Sequence, residues 1–186
     1  METKKAYIFL ADGFEEVEAL TVVDLLRRAD IRCEMVSISD SLELVGRSRI
    51  HVKADRLFED VRFDDADLLV LPGGMPGTLH LAGHAGLCDL LKDKAADKHV
   101  LIGAICAAPT VLGGLGLLKD KKATCFPGME DQLKCARHSV KKVVKDERII
   151  TSRGLGTAVP FALRLIEALE GEERAQDVAQ GIVFQL

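Results

Sequence analysis

Residues 100–114 read VLIGAICAAPTVLGG. The first six are an unbroken apolar run, too short for a helix of its own and apolar on both faces if extended. Such a strand belongs in a parallel sheet covered on both sides. Small residues follow, and Pro109 fits the first turn of a helix, where its missing N–H costs nothing. The stretch therefore predicts a strand that breaks at Cys106 and turns at once into a helix. Strand-to-helix junctions of this kind are where open α/β sheets carry their chemistry.

The same alternation extends outward from this stretch. Apolar strands are predicted at AYIFLA (6–11), IRCEMVSI (31–38), DLLVLPGG (67–74) and ERIITS (147–152). Helical spacing fills EEVEALTVVDLLRRA (15–29), AGLCDLLKDKAADK (85–98), a segment from about Pro109, GTAVPFALRLIEALEG (156–171) and EERAQDVAQGIVF (172–184). Short strand-like pieces at LELV (42–45) and IHVKA (50–54) predict a small antiparallel excursion or edge strands within 41–62. The pattern is that of an α/β fold: a mostly parallel sheet with helices on both faces and right-handed crossovers. A chain of 186 residues with 48% apolar residues buries one good core, so residues 1–186 are read as a single domain.

The formal net charge of −4 gives no electrostatic reason to bind nucleic acid. KDKK (119–122) and the lysine pair 141–142 read as solvated turns. The apolar run before Asp12 is too short for a secretory signal, and no stretch is long enough for a membrane span. The five cysteines (Cys33, Cys88, Cys106, Cys125, Cys135) are odd in number and lack a C-x-x-C pair. That argues against a disulfide framework or structural zinc, and for a reducing cytoplasm.

Three strand ends converge in such a sheet: LADGFEE (10–16), LPGGMPG (71–77) and AICAAP (104–109). Cys106 placed ahead of a helix faces unpaired amides and the positive end of the helix dipole, which should lower its pKa. The competing reading is a small buried hydrophobe, which is assigned to Cys33 and Cys88. On a helical wheel, Glu18 lies with Phe14, Val22, Leu25 and Ala29 on the apolar stripe, whereas Val17, Thr21, Asp24 and Arg28 share the polar face. A carboxyl there must be partnered or protonated. A protonated Glu18 can donate to a Cys106 thiolate and shuttle a proton. Gly73 and Gly74 either offer amides for an oxyanion hole or form a plain turn. Arg153, in SRGLGT (152–157), can close the crevice or bind an anion. No histidine neighbours Cys106. His80 and His84 follow the glycine pair and are the two that could approach the crevice. With His51, His99 and His138 they read as surface residues, and no third metal ligand accompanies the His80–His84 spacing.

Taken together, LADGFEE, LPGG, AICAAP and TSRGLGT, in this order, resemble the ThiJ/PfpI superfamily over essentially the whole chain, and point to its parkinsonism-associated deglycase branch and bacterial relatives. The resemblance implies a flavodoxin-like three-layer sandwich, a homodimer, and no cofactor or metal. It implies a nucleophilic, readily oxidised Cys106 with Glu18 as its protonated partner. It places the amides of Gly74 and Ala107 around the site and Arg153 nearby. The implied activity is that of a cofactor-independent glyoxalase or deglycase on methylglyoxal, glyoxal or their adducts with amines and thiols; the alternative is an oxidative-stress sensor or chaperone. A peptidase or amidase ranks below both: the protease-like and chaperone-like branches carry histidine where Ala107 stands, and the class I glutamine amidotransferases need a late His-x-Glu pair that the sequence lacks. The sequence departs from the family in two further places. Phe126 replaces the histidine of a T-x-H-P stretch, and Leu155 replaces the proline of SRGPGT.

Overall fold

A computed structural model describes residues 3–134 and 137–185. In chain order the elements are β1 (Lys5–Leu10), α1 (Glu16–Arg28), β2 (Arg32–Ser37), β3 (Glu43–Val45), β4 (His51–Lys53), β5 (Arg56–Leu57), β6 (Leu68–Leu71), α2 (Gly77–Gly83) and α3 (Ala85–Ala96). There follow β7 (Leu101–Ile105), α4 (Pro109–Gly114), β8 (Lys122–Ala123), β9 (Arg137–His138), β10 (Val143–Asp146), β11 (Ile149–Ser152), α5 (Ala158–Glu170) and α6 (Glu172–Gly181). The main sheet has the order β10-β11-β7-β6-β1-β2-β5. Every pairing in it is parallel except β10 with β11.

Register explains why the strands are apolar throughout. Ile8 pairs with Met35 on one side and Val70 on the other, Val70 with Gly103, and Gly103 with Ile150. This row faces α1, α5 and α6, in a core with Leu25, Leu26, Phe161, Leu165 and Val178. The next residues along, Phe9, Leu71 and Ala104, point to the opposite face and pack with Leu87 and Leu91 of α3 and Val111 and Leu112 of α4. With a side-chain period of two, both sets must be apolar because helices cover both faces. Gly103 has a packing role within its row. A Cβ there would stand 3.0 Å from Leu165 and 3.1 Å from Phe161, so the glycine lets α5 seat closely on the sheet.

The fold expected from sequence is the fold found, with differences at its margins. The 41–62 segment does both things the pattern allowed: β3 and β4 form a separate antiparallel hairpin, and β5 adds to the sheet edge beside β2. The short helix α2, the edge strand β10 and the β8–β9 pair carried no readable periodicity. The helix after Cys106 is only six residues long, Pro109–Gly114. Among the described residues no helix is long and apolar enough to cross a membrane.

Phe161 is fully buried against Gly103 at the centre of the α5 contact. Phe161→Ala should destabilise the fold by roughly 3–5 kcal/mol in urea unfolding, the usual cost of deleting a core aromatic.

Candidate active site

The site is built where β1, β6 and β7 end. At the end of β7 the chain turns through Cys106, whose φ is +64°. A left-handed conformation at a residue with a side chain costs on the order of 1–2 kcal/mol, so neighbouring bonds must hold it. They do so on both sides: Cys106 N–H donates to Ser152 O at 3.0 Å, and Cys106 O accepts from Phe126 N–H at 2.7 Å. The turn lifts the side chain out of the strand and leaves the thiol half-buried.

Glu18 comes from the first turn of α1 and is 1% exposed. Its Oε2 accepts from Gly73 N–H at 2.9 Å. Its Oε1 is buried and has no hydrogen-bonding partner among the described residues. A Cβ built on Gly73 would lie 2.6 Å from Glu18 Oε2, 2.5 Å from Cys106 Cβ and 3.0 Å from Cys106 Sγ. Carboxyl and thiol are thus brought together across a gap that only glycine can line. Gly74 adopts φ +94°, and a Cβ there would meet Glu15 N at 2.4 Å and Gly13 O at 2.5 Å. Glycine at 74 lets the β6 turn lie flat against the start of α1. There Glu15 N–H donates to Gly73 O at 2.9 Å, while the Glu15 carboxylate caps the helix by accepting from Glu18 N–H at 2.7 Å.

Burial pushes Glu18 up to about 7, and the nearby Glu15 charge adds to this; hydrogen bonding to Cys106, the Gly73 amide and the charge of Arg47 pull the other way. The lowered thiol pKa expected from helix amides alone is not what the fold produces. Burial pushes Cys106 up to about 12, reinforced by the charge and hydrogen bonding of Glu18, and the amides of Ala107 and Gly74 recover only part of this. The two groups therefore titrate as a pair. Below neutrality the pair holds two protons. Above about 7 it holds one, and the thiolate exists there when that proton resides on Glu18.

Of the residues singled out in the sequence, Cys106, Glu18, Gly73, Gly74 and Ala107 meet at this point. The N–H of Gly73 is taken by Glu18, so within the glycine pair it is the Gly74 amide that acts on the sulfur. The Arg153 guanidinium acts on Cys125 and Glu130, and its Nη1 is buried without a hydrogen-bond partner among the described residues. The histidines lie elsewhere. His80 Nδ1 is 3.1 Å from Asp12 O, His84 caps α3 by accepting from Leu87 N–H, and His138 stands 4.0 Å from Glu130. Phe126, in the place of the family histidine, is half-exposed, and a Cβ on Gly154 would meet its ring at 3.4 Å and Glu18 Oε1 at 3.9 Å. Cys33 is buried in the core as its apolar setting suggested, whereas Cys88 is only half-buried, with its thiol donating to Ala82 O. Cys135 lies outside the described residues. Two residues of the site escaped the sequence reading: Arg47, and Glu16, which is 2% exposed and accepts from Ser48 N–H at 2.7 Å. A second buried acid beside Glu18 was visible only as one more charge at a helix start.

A flavodoxin-like sheet with a cysteine on a left-handed strand-to-helix turn, faced by a buried glutamic acid, defines a cysteine-elbow α/β protein. The chain belongs to the DJ-1/PfpI family, whose sequence model matches residues 4–168. It is 40% identical over 184 residues to Protein dj-1beta of Drosophila melanogaster, covering 97% of each chain. It is 34% identical over 179 residues to the glutathione-independent glyoxalase DJR-1.2 of Caenorhabditis elegans, covering 94% of each. Its structure matches oxidized Toxoplasma gondii DJ-1 with a TM-score of 0.95 at 34% identity, over 99% of this chain and 100% of that one. It spans 41% and 44% of the length of the Arabidopsis thaliana DJ-1 homologs B and A.

Two measurements check the shared proton. Alkylation of Cys106 by iodoacetamide should rise with pH through a step near 7, and Glu18→Gln should abolish that step. The linkage to stability has a definite sign. The carboxyl is raised from its ordinary 4.5 to about 7, so the folded state holds the extra proton between those values. Its stabilising effect is full below 4.5 and is lost as pH rises through 7. At about 1.4 kcal/mol per pKa unit, Glu18→Gln should gain roughly 3 kcal/mol on wild type between pH 4 and pH 8 in urea unfolding.

Proposed function

We propose that the protein is a cofactor-independent glyoxalase, with deglycase activity on early glyoxal adducts of amines and thiols as the same chemistry on a masked aldehyde. The observation that carries this reading is the half-buried Cys106 thiol set against a 1% exposed Glu18 that sits near its neutralisation point at physiological pH. A similar protein named as a glutathione-independent glyoxalase supports it.

The reaction runs as follows. The Cys106 thiolate adds to the aldehyde carbon of methylglyoxal, and Glu18 supplies the proton to the new oxygen, giving a hemithioacetal. The amides of Gly74 and Ala107, which already act on the sulfur, stabilise oxyanion character beside it. Glu18, now a carboxylate, takes the proton from the former aldehyde carbon and returns it to the neighbouring carbonyl carbon through an enediol. The product is a lactoyl thioester on Cys106. Water cleaves the thioester, releasing lactate and restoring thiolate and protonated acid. The net change is addition of one water, with no external oxidant or reductant. Glu18 suits this task because its proton affinity lies near the operating pH, where giving and taking are both accessible.

A second reading is favoured by the unpartnered Glu18 Oε1. A protonated carboxyl and two amides around one sulfur also suit a sulfinate, so the same pocket serves an oxidative sensor. A peptidase or amidase lacks its base, since no histidine among the described residues acts on Cys106. We further propose a homodimer. Val17 and Leu20 on the outer face of α1, together with Ile50 of the hairpin turn, are exposed and apolar. Placement in the cytoplasm fits the free thiols.

Wild-type protein should convert methylglyoxal to lactate without glutathione or metal, and Cys106→Ser should abolish lactate formation. Glu18→Ala should lower kcat by at least about 100-fold, the usual reach of a positioned acid–base group. Loss of methylglyoxal without lactate would show capture by the thiol alone and leave the sensor reading. Light scattering should report a mass twice that of the chain, and Leu20→Glu should shift it toward the monomer.

A further inference from the structure

A second cavity lies at the other end of β7 from Cys106. It has a volume of about 290 Å³ and opens between the last turn of α3, the starts of β7 and β11, and the turn after α4. Its floor is apolar. Val100, Ile102 and Ile149 are buried, and Ile102 and Ile149 are register partners on neighbouring strands. All three belong to the core on the α3–α4 face of the sheet. The helix α1, with the proposed dimer surface, packs on the opposite face. A dimer formed through α1 therefore leaves this cavity open.

The walls are cationic. Lys119, Lys121 and Arg148 line them, together with one carboxylate, Glu147. Glu147 is already taken, since the Lys121 ammonium donates to it. Lys119 is exposed, and its ammonium has no ion-pair partner among the described residues. Two members of the KDKK run thus border a cavity. Arg148 is half-buried and fixed to the sheet, its O accepting from Ile102 N–H at 2.9 Å. Its Nη2 donates to Ala95 O at 3.2 Å, one of the carbonyls left open in the last turn of α3. Its Nε is buried without a hydrogen-bond partner among the described residues. Arg27, Arg28, Arg164 and Arg174 are each tied to a carboxylate, whereas Arg148 has no ion-pair partner among the described residues. One neutral carbonyl does not offset a half-buried guanidinium, whose lost hydration is costly without a counter-charge.

We infer that this cavity is a second ligand site, which takes a small carboxylic acid with an apolar body. The carboxylate pairs with Arg148 and Lys119, and the body lies on the floor of Val100, Ile102 and Ile149. The two halves of the lining together define the class. An apolar floor does not suit a bare phosphate, whose oxygens would lose water against it, and cationic walls do not suit a neutral apolar molecule. A guanidinium with idle N–H groups binds a carboxylate through charge-assisted hydrogen bonds, which are stronger than neutral ones. The site uses none of the chemistry of Cys106 and stands whether or not the glyoxalase reading does.

The probe that tests it is para-fluorobenzoate, titrated with fluorine NMR line broadening as the readout. Wild type should bind it with a Kd of about 1 mM or below, within the reach of a ligand of this size. Arg148→Gln should weaken binding by about tenfold or more, as for a lost hydrogen bond to a charged group, and the neutral para-fluorobenzamide should bind wild type more weakly by about the same factor. Lys119→Gln should weaken it by about two- to fivefold, as for an exposed ion pair. Cys106→Ser should bind as wild type does. If Arg148 serves only to cap α3, Arg148→Gln will lower the melting temperature and leave the affinity unchanged, and that result overturns the proposal. An unchanged affinity in Lys119→Gln would also overturn it; this exposed, unpaired side chain can be replaced without harm to the fold. Equal binding of the acid and the amide would reduce the cavity to an apolar crevice. Displacement of the probe by inorganic phosphate at equal concentration would make it a bare-anion site. Loss of binding in Cys106→Ser would place the probe in the active site. Each of these three results likewise rejects the assignment.

Discussion

One proton shared between a buried carboxyl and a half-buried thiol is the constraint around which the site is arranged. Neither group is favourable where it stands. Glu18 is nearly inaccessible to water, on a helix face that otherwise packs Val22 and Leu25 into the core. Cys106 is held in a backbone conformation that non-glycine residues avoid. Each makes the other tolerable. A protonated carboxyl is a hydrogen-bond donor that needs no counter-ion, and a sulfur near such a donor and two amides can carry negative charge in a place that would otherwise refuse it. Around neutral pH the carboxyl is the group that gains or loses the pair's second proton, because burial raises Glu18 to about 7 while the thiol is pushed up to about 12.

The surrounding fold serves that balance by limiting movement. The β6 turn runs through Gly73 and Gly74 because any side chain there would strike the thiol, the carboxyl or the start of α1. The elbow is fastened from both flanks, to β11 through Ser152 and to the 124–127 segment through Phe126. The start of α1 is fastened in turn to the β6 turn and to the β3–β4 hairpin, with Glu15 and Glu16 each accepting backbone amides. Three consecutive-looking acids thus have three separate tasks: Glu15 caps the helix, Glu16 clamps a loop, and Glu18 faces the sulfur.

The two departures from the family pattern fall at the rim. Phe126 and Leu155 are both about half-exposed, 48% and 50%. Phe126 packs beside Gly154 and sets an apolar ring there in place of a titratable imidazole. That leaves Glu18 as the titratable group set against the thiol, with Glu15 and Arg47 as the charges that tune it.

The sequence by itself determined the layered architecture and the position of the elbow. Strands 6–11, 68–71 and 100–106 are apolar at every residue, and a period-two element buried on both faces leaves no alternative arrangement. It also determined that Glu18 is unusual, since helical periodicity places it on the apolar stripe whatever the partner. Tertiary structure alone decided the rest. The β10 edge strand and α2 have too few buried positions to show a period. Glu16 is buried by a loop some thirty residues on, so its own helix cannot announce it. The thiol was expected to be acidic from its helix alone, yet burial and the facing carboxylate outweigh two amides, and neither term exists until distant segments meet. Arg153 and Arg47 make the same point: a motif places a residue next to the site along the chain, but which side of the backbone its charge serves is settled only when the strands and loops are packed.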